Sequence, residues 1–169
     1  MDADEAIADL LGNAGDRLLR LAFQLCHGRS DAEDLVQQAL EHVYRRWRRR
    51  GVDARDAEAY VRRVVVNEYL RRRRLRSAGE LVTDAVPDTP SPAPDGVVAE
   101  RDAMWRILGE LPARQRAAVV LRYYEELPDR DIAAVLGCRE ATVRSLVARG
   151  LHALRVPAVE SVRPREGMS

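Results

Sequence analysis

The sequence predicts an all-α protein, two small helical domains joined by a flexible acidic Pro-rich linker. Three observations carry that prediction. Apolar residues recur at three- and four-residue spacing through 17–76 and again through 98–154, the period of a helix face and not of a strand. Between them, Ser77 to Ala99 gathers Pro87, Pro90, Pro92 and Pro94 with glycine, serine and acids, a composition that neither packs nor continues a helix. A chain of 169 residues that is 46% hydrophobic but only 5% aromatic buries one modest core or two small ones, which excludes a large enzyme. These signals divide the chain into 1–76, a linker at 77–99, a second domain at 100–156 and a tail at 157–169.

The first helix is drawn over Arg17–Cys26, with Leu18, Leu21, Ala22 and Leu25 on one stripe. A second begins where Ser30 and Glu33 stand at capping-box spacing and Asp31, Glu33 and Asp34 place negative charge in the first turn. It ends at Gly51, after arginines that complement the C-terminal end of the dipole. Its apolar stripe is Leu35, Val36, Ala39, Leu40, Val43 and Trp47, leaving Asp34, Gln37, Gln38 and Glu41 on the other side. A third helix, from about Asp56 to Arg76, turns Tyr60, Val61, Val64 and Val65 inward, and its valines leave packing to hold it.

The second domain opens with a helix over Val98–Leu108, apolar at Met104, Ile107 and Leu108, and breaks at Gly109 and at Leu111-Pro112. Pro112 then sits in the first turn of a helix with the stripe Ala117, Val120, Leu121 and Tyr124. After Leu127-Pro128 comes a short helix, Asp129–Leu136, burying Ile132, Ala133 and Leu136. Gly137 supplies the turn into a longer helix from about Glu140 to Leu154, with Val143, Val147, Leu151 and Leu154 inward.

Charge is nearly balanced overall, at +1, but not along the chain. Residues 1–40 carry −5, 41–76 carry +8, 77–102 carry −5 and 103–169 carry +3. A basic block set between two acidic ones points to a localised anionic partner, nucleic acid being the commonest. Every cation is arginine. Codon bias accounts for that choice by itself, although the guanidinium fork also suits phosphate and base edges. Cys26 and Cys138 lack paired spacing and read as small buried hydrophobes, so neither a metal site nor a disulfide is expected. The acidic amino terminus lacks an apolar signal core and no apolar run is long enough for a bilayer, so a cytoplasmic protein without membrane insertion is expected. His27, His42 and His152 are scattered, and no phosphate-cradling glycine loop or nucleophile with a base is present, which argues against an enzyme.

Short helix, glycine turn and longer helix with Arg144, Ser145 and Arg149 outward is the pattern of a helix-turn-helix that enters the major groove. Arginine there can fork to O6 and N7 of guanine, and Thr142 and Ser145 can reach phosphates or bases. The same spacing also fits a plain helical hairpin with a solvated basic face.

Both halves together resemble the extracytoplasmic-function sigma factors of the sigma-70 superfamily, bacterial subunits that direct RNA polymerase to promoters. DAEDLVQQALEHVYRRW resembles their polymerase-binding helix in region 2 and AYVRRVVVNEYLRRRR the promoter-melting helix after it. LPARQRAAVVLRYYEELPDRDIAAVLGCREATVRSLVARGLHAL resembles region 4, so the likeness covers about residues 10–155 and is nearest the short actinobacterial, sigma-E-like branch. The resemblance implies that Asp34, Gln37, Gln38 and Glu41 bind the clamp of the largest polymerase subunit, with the flap of the second-largest subunit as a further partner. It implies that Asn67 holds a base flipped from the minus-ten strand, while Arg62, Arg63, Arg71, Arg72, Arg73 and Arg74 grip phosphates. It further implies minus-thirty-five contacts from Arg139, Thr142, Arg144, Ser145, Ala148 and Arg149, no cofactor, and an anti-sigma factor as a candidate partner. Pro128 and Arg139 stand where relatives carry hydroxyl caps, so Asp129 is the candidate cap of the first helix of the motif. The rival reading is a dimeric helix-turn-helix regulator, which explains residues 112–155 and leaves the arginine-rich third helix without a role.

Overall fold

The computed structural model describes residues 1–79 and 106–161, with only the backbone of 156–161. The described residues form helices and turns without strands. They are α1 (Ala3–Cys26), α2 (Arg29–Arg50), α3 (Ala57–Ser77), a helical stretch at 106–110, α4 (Ala113–Tyr123), α5 (Asp129–Leu136) and α6 (Glu140–Ser161). The expected linker, most of the helix drawn from Val98 and the end of the tail lie outside the described residues.

α1 starts far earlier than the apolar stripe indicated. Asp2 accepts from the Glu5 backbone N–H at 2.8 Å while the Glu5 carboxylate accepts from the Asp2 backbone N–H at 3.2 Å, a complete capping box. The acids of the amino terminus are therefore a helix-start signal as well as a charge feature. The expected box at Ser30 and Glu33 does not form. Gly28 is the N-cap of α2 without a side-chain bond, and Glu33 accepts from Arg29 Nε at 3.0 Å instead. A helix that begins two residues earlier, at Arg29 in place of Asp31, puts Ser30 inside the first turn, where its hydroxyl no longer occupies the capping position. The other end is as expected, with Arg48, Arg49 and Arg50 before Gly51 at φ 84.

α1 packs on α2 and α3, and the stripe residues Leu18, Leu21, Ala22, Leu25, Leu35, Val36, Ala39, Val43, Trp47, Val61 and Val65 are buried. Leu40, Tyr60 and Val64 are half-buried, while Val66 and Tyr69 complete the core from α3. In the second half, residues 106–110 are helical, so Gly109 is not a break; the chain turns at Leu111-Pro112 alone. Tyr124 is exposed, because α4 ends at Tyr123 and the inward side is filled by Arg116, Ala117, Ala118, Val119, Val120 and Leu121. The short helix matches the expected bounds, and Gly137 turns the chain with φ 64. Pro128 is its N-cap and no side chain caps it, so Asp129 is not the cap. α6 runs beyond Leu154 and through Pro157 to Ser161.

The two halves are not separate bodies in this structure. α4 and α5 pack on α1 and α3, and Ala117, Val120, Leu121 and Ile132 join the α1–α3 residues in one continuous apolar core. Arg116 is the one buried charged residue among those described, at 3% exposure, and it lies at this seam. Its Nε and Nη2 donate at 3.1 and 2.8 Å to the carbonyl of Gln24, in the last turn of α1. That carbonyl has no acceptor role left inside its helix, and a cation complements the negative end of the dipole.

Candidate nucleic-acid interface

Helical spacing sorts the arginine-rich end of α3 into two groups. Arg63, Asn67, Arg71 and Arg74 follow one another at steps of four, four and three residues, so they form one stripe, and all four are exposed. Asn67 is thus exposed and not part of the core. Arg71 is steadied by Glu68, to which its Nε donates at 3.2 Å, and that hydrogen bond holds the Glu68 carboxyl below its ordinary range.

Two of the remaining members are paired with carboxylates. Arg62 is 19% exposed and lies 3.8 Å from Glu58 and 3.4 Å from Glu125, a residue of the turn after α4. Burial pushes the Glu125 carboxyl up despite that pairing. Arg72 is 11% exposed, with its Nη2 donating to Asp34 Oδ2 on α2 at 3.0 Å. Arg73 is half-buried. Four residues of the expected minus-ten set therefore share an exposed face, and Arg62 and Arg72, off that stripe by register, are paired with carboxylates.

The helix-turn-helix presents every residue expected of it. Arg139, Thr142, Arg144, Ser145, Ala148 and Arg149 are all exposed on or just before α6, while Val143 and Val147 anchor its inner side. Asp129 organises the approach to this face: its carboxylate accepts from Arg122 and lies 3.8 Å from Arg144. Gly150 lets α6 come close to α4, since a Cβ there would meet Val119 Cγ2 at 2.7 Å. Neither Arg116 nor Gly150 was singled out from sequence, because a lone arginine and a helical glycine announce a buried contact only once the partner helix is in place.

On α2, Asp34, Gln37, Gln38 and Glu41 form a single exposed stripe. Gln37 Nε2 donates to Glu41 at 3.4 Å, and Arg45 approaches the same carboxylate at 3.4 Å. Beside the stripe runs an apolar groove of about 600 Å³ between α1 and α2, floored by Val36 and Leu40 and walled by Ile7, Leu11, Leu19 and Tyr44. Ile7 and Leu11 of this wall were missed from sequence because they belong to the segment read only for its charge, and Leu19 lies beside the stripe drawn for the first helix. Cys26 and Cys138 pack against the core but are half-buried and not fully buried as expected, and burial pushes the Cys26 thiol up to about 11.

Residues 11–79 match the family described as Sigma-70 region 2 and residues 101–154 match Sigma-70, region 4. The RNA polymerase sigma-E factor of Streptomyces coelicolor is 38% identical over 140 residues, covering 83% of this chain and 78% of that protein. The chain belongs to the extracytoplasmic-function sigma factors. The ECF RNA polymerase sigma factor SigE of Mycolicibacterium smegmatis is 32% identical over 156 residues, 87% of this chain and 59% of that one. In structure, the sigma factor RpoE of Bartonella quintana, solved in complex with the anti-sigma factor NepR, superposes with a TM-score of 0.68 at 25% identity, covering 93% and 98% of the two chains. Region 2 of this sigma factor thus takes in most of α1 with α2 and α3, and region 4 takes in α4, α5 and most of α6. No helix among the described residues is long and apolar enough to cross a membrane.

Proposed function

We propose that this sigma factor binds core RNA polymerase through the α2 stripe and reads promoters with two separate faces, one on each region. The observation that carries the reading is the exposure of both faces at helical register: Arg63, Asn67, Arg71 and Arg74 on α3, and Arg144, Ser145, Ala148 and Arg149 on α6. Phosphates along the minus-ten strand pair with the guanidinium groups, while the Asn67 amide, donor and acceptor at once, holds an unstacked base. On the minus-thirty-five duplex, Arg144 and Arg149 fork to guanine edges, and Arg139, Thr142 and Ser145 fix the register on phosphates. Asp34, Gln37, Gln38 and Glu41 take the clamp of the largest subunit, with the flap of the second-largest subunit near region 4.

The boundaries 1–76, 77–99 and 100–156 serve as the working division of the chain. Its work is regulatory binding in the cytoplasm with polymerase on the nucleoid, not catalysis of its own, and an anti-sigma factor is a candidate partner. A dimeric regulator acting without polymerase leaves the α2 and α3 faces unused and is not favoured. The test is reconstitution of the full chain with core polymerase, followed by run-off transcription on genomic fragments. Discrete start sites preceded by two common elements support the reading. Transcription no more specific than that of core polymerase alone refutes it.

A further inference from the structure

The Asp34–Arg72 ion pair joins the helix proposed to meet polymerase to the helix proposed to meet DNA, and its two ends differ in access. The Asp34 side chain is 59% exposed, so a partner's cation can reach its carboxylate, whereas Arg72 is 11% exposed and its guanidinium is spent on Asp34 at 3.0 Å. Arg72 directly follows Arg71 of the exposed stripe and precedes Arg73 and Arg74. Asp34 is the acid bonded to a cation placed among like charges, while Glu68, which also acts on Arg72, is committed to Arg71; once Asp34 is neutralised by another cation, repulsion within the arginine run favours the outward rotamers of Arg72. We propose that this pair couples the two binding events: a cationic group of polymerase that occupies Asp34 releases Arg72 to a phosphate of the promoter strand. The inference rests on the functional reading above and adds a positioning role for Asp34 and a conditional one for Arg72. By linkage, the exchange runs in both directions, so strand binding also strengthens the hold of polymerase on Asp34.

The test uses the full chain, free and bound to core polymerase, with a fluorescein-labelled 20-nucleotide single-stranded DNA of mixed sequence read by anisotropy across a salt series. Mixed sequence is apt because phosphate contacts carry no base information. In the free chain, Asp34→Asn releases Arg72 without polymerase, and the slope of log affinity against log salt steepens by about 0.7, the value of one further contact on a single strand. Glu33→Gln, which removes a neighbouring acid paired to Arg29, leaves that slope unchanged. Asp34→Asn combined with Arg72→Gln loses the gain. An unchanged slope in Asp34→Asn, or a gain that survives Arg72→Gln, overturns the coupling.

A second arm needs only the Arg72 variant. Arg72→Gln flattens the slope more in the polymerase-bound form than in the free chain; equal flattening in both overturns the coupling and makes Arg72 an ordinary phosphate contact. Circular dichroism confirms that each variant is folded, and if Asp34→Asn is not, the Arg72→Gln arm decides. Failure of the wild-type chain to associate with core polymerase sinks the functional reading itself, whereas association together with equal flattening sinks the coupling alone.

Discussion

Replacing Arg116 by alanine removes the one buried cation of the seam between the two regions, and the structure allows its cost to be worked out. Two donors, Nε at 3.1 Å and Nη2 at 2.8 Å, converge on the single carbonyl of Gln24. A hydrogen bond from a charged donor contributes about 1.5–3 kcal/mol, and because both share one acceptor the pair counts as little more than one. The truncated side chain also loses most of its buried methylenes, at about 0.8 kcal/mol each. Against these losses stands the relief of burying a charge. The ionisable groups acting on Arg116 are Tyr69, Cys26 and Arg73, none of them a carboxylate, and burial lowers its pKa. The net expectation is a loss of about 2–4 kcal/mol.

Arg116→Met separates the contributions, since it keeps the stem, drops the charge and costs about 1–2 kcal/mol, the price of an unmet Gln24 carbonyl. Urea unfolding followed by circular dichroism measures both. Small-angle scattering reports whether the regions part, and the radius of gyration rises for Arg116→Ala because the lost contact spans α1 and α4. A midpoint shift worth less than about 0.5 kcal/mol together with an unchanged radius refutes the reasoning. It would mean that the shared apolar core holds the seam without this contact.

Arg144→Ala and Arg149→Ala are each expected to weaken minus-thirty-five binding by about 1–3 kcal/mol on the cognate element while sparing a scrambled one, as read by anisotropy on paired duplexes. Glu41→Arg with Gln37→Ala lowers co-purification with core polymerase at least about tenfold, a change worth 1.4 kcal/mol or more, without altering the helical circular dichroism signal, since both residues are exposed and bonded within α2. Gly150→Ala lowers the unfolding midpoint by about 1–3 kcal/mol through the 2.7 Å approach to Val119, despite the better helix propensity of alanine, and Val119→Ala in the same chain recovers part of the loss. Arg17 donates at 2.9 and 2.8 Å to both Glu58 oxygens and holds that carboxyl below its ordinary range. The stability it contributes is present above about pH 4.3 and is lost as pH falls through the depressed value, so Glu58→Gln flattens the acid limb of a pH series of urea midpoints.

Where elements end was written locally, and sequence alone determined it wherever the signal was chemical and short-range. Asp129–Leu136 was drawn residue for residue because Pro128 stops the chain before it and Gly137, in the left-handed region, stops it after. Gly51 closed α2 for the same reason. The Asp2 and Glu5 box that opens α1 was equally legible and was passed over as mere acidity, whereas the Ser30 and Glu33 spacing does not mark the cap of α2, which starts two residues earlier with Gly28 as its N-cap. The exposed faces were legible too: helical period places Asn67 with Arg63, Arg71 and Arg74, and Arg144 with Ser145 and Arg149, whatever the surroundings.

What only the tertiary structure decided is which polar side chains are spent. Helical period sets Arg62 and Arg72 off the stripe of Arg63 and Arg74, but their pairing with Glu125 and Asp34, each more than 35 positions away in sequence, comes from the tertiary packing alone. Arg116 reads as one more surface arginine until the end of α1 offers it a carbonyl, and Tyr124 reads as core until α4 stops one residue short of it. Burial of a charge depends on a partner from another element, and no periodicity within one helix encodes the register at which a second helix arrives.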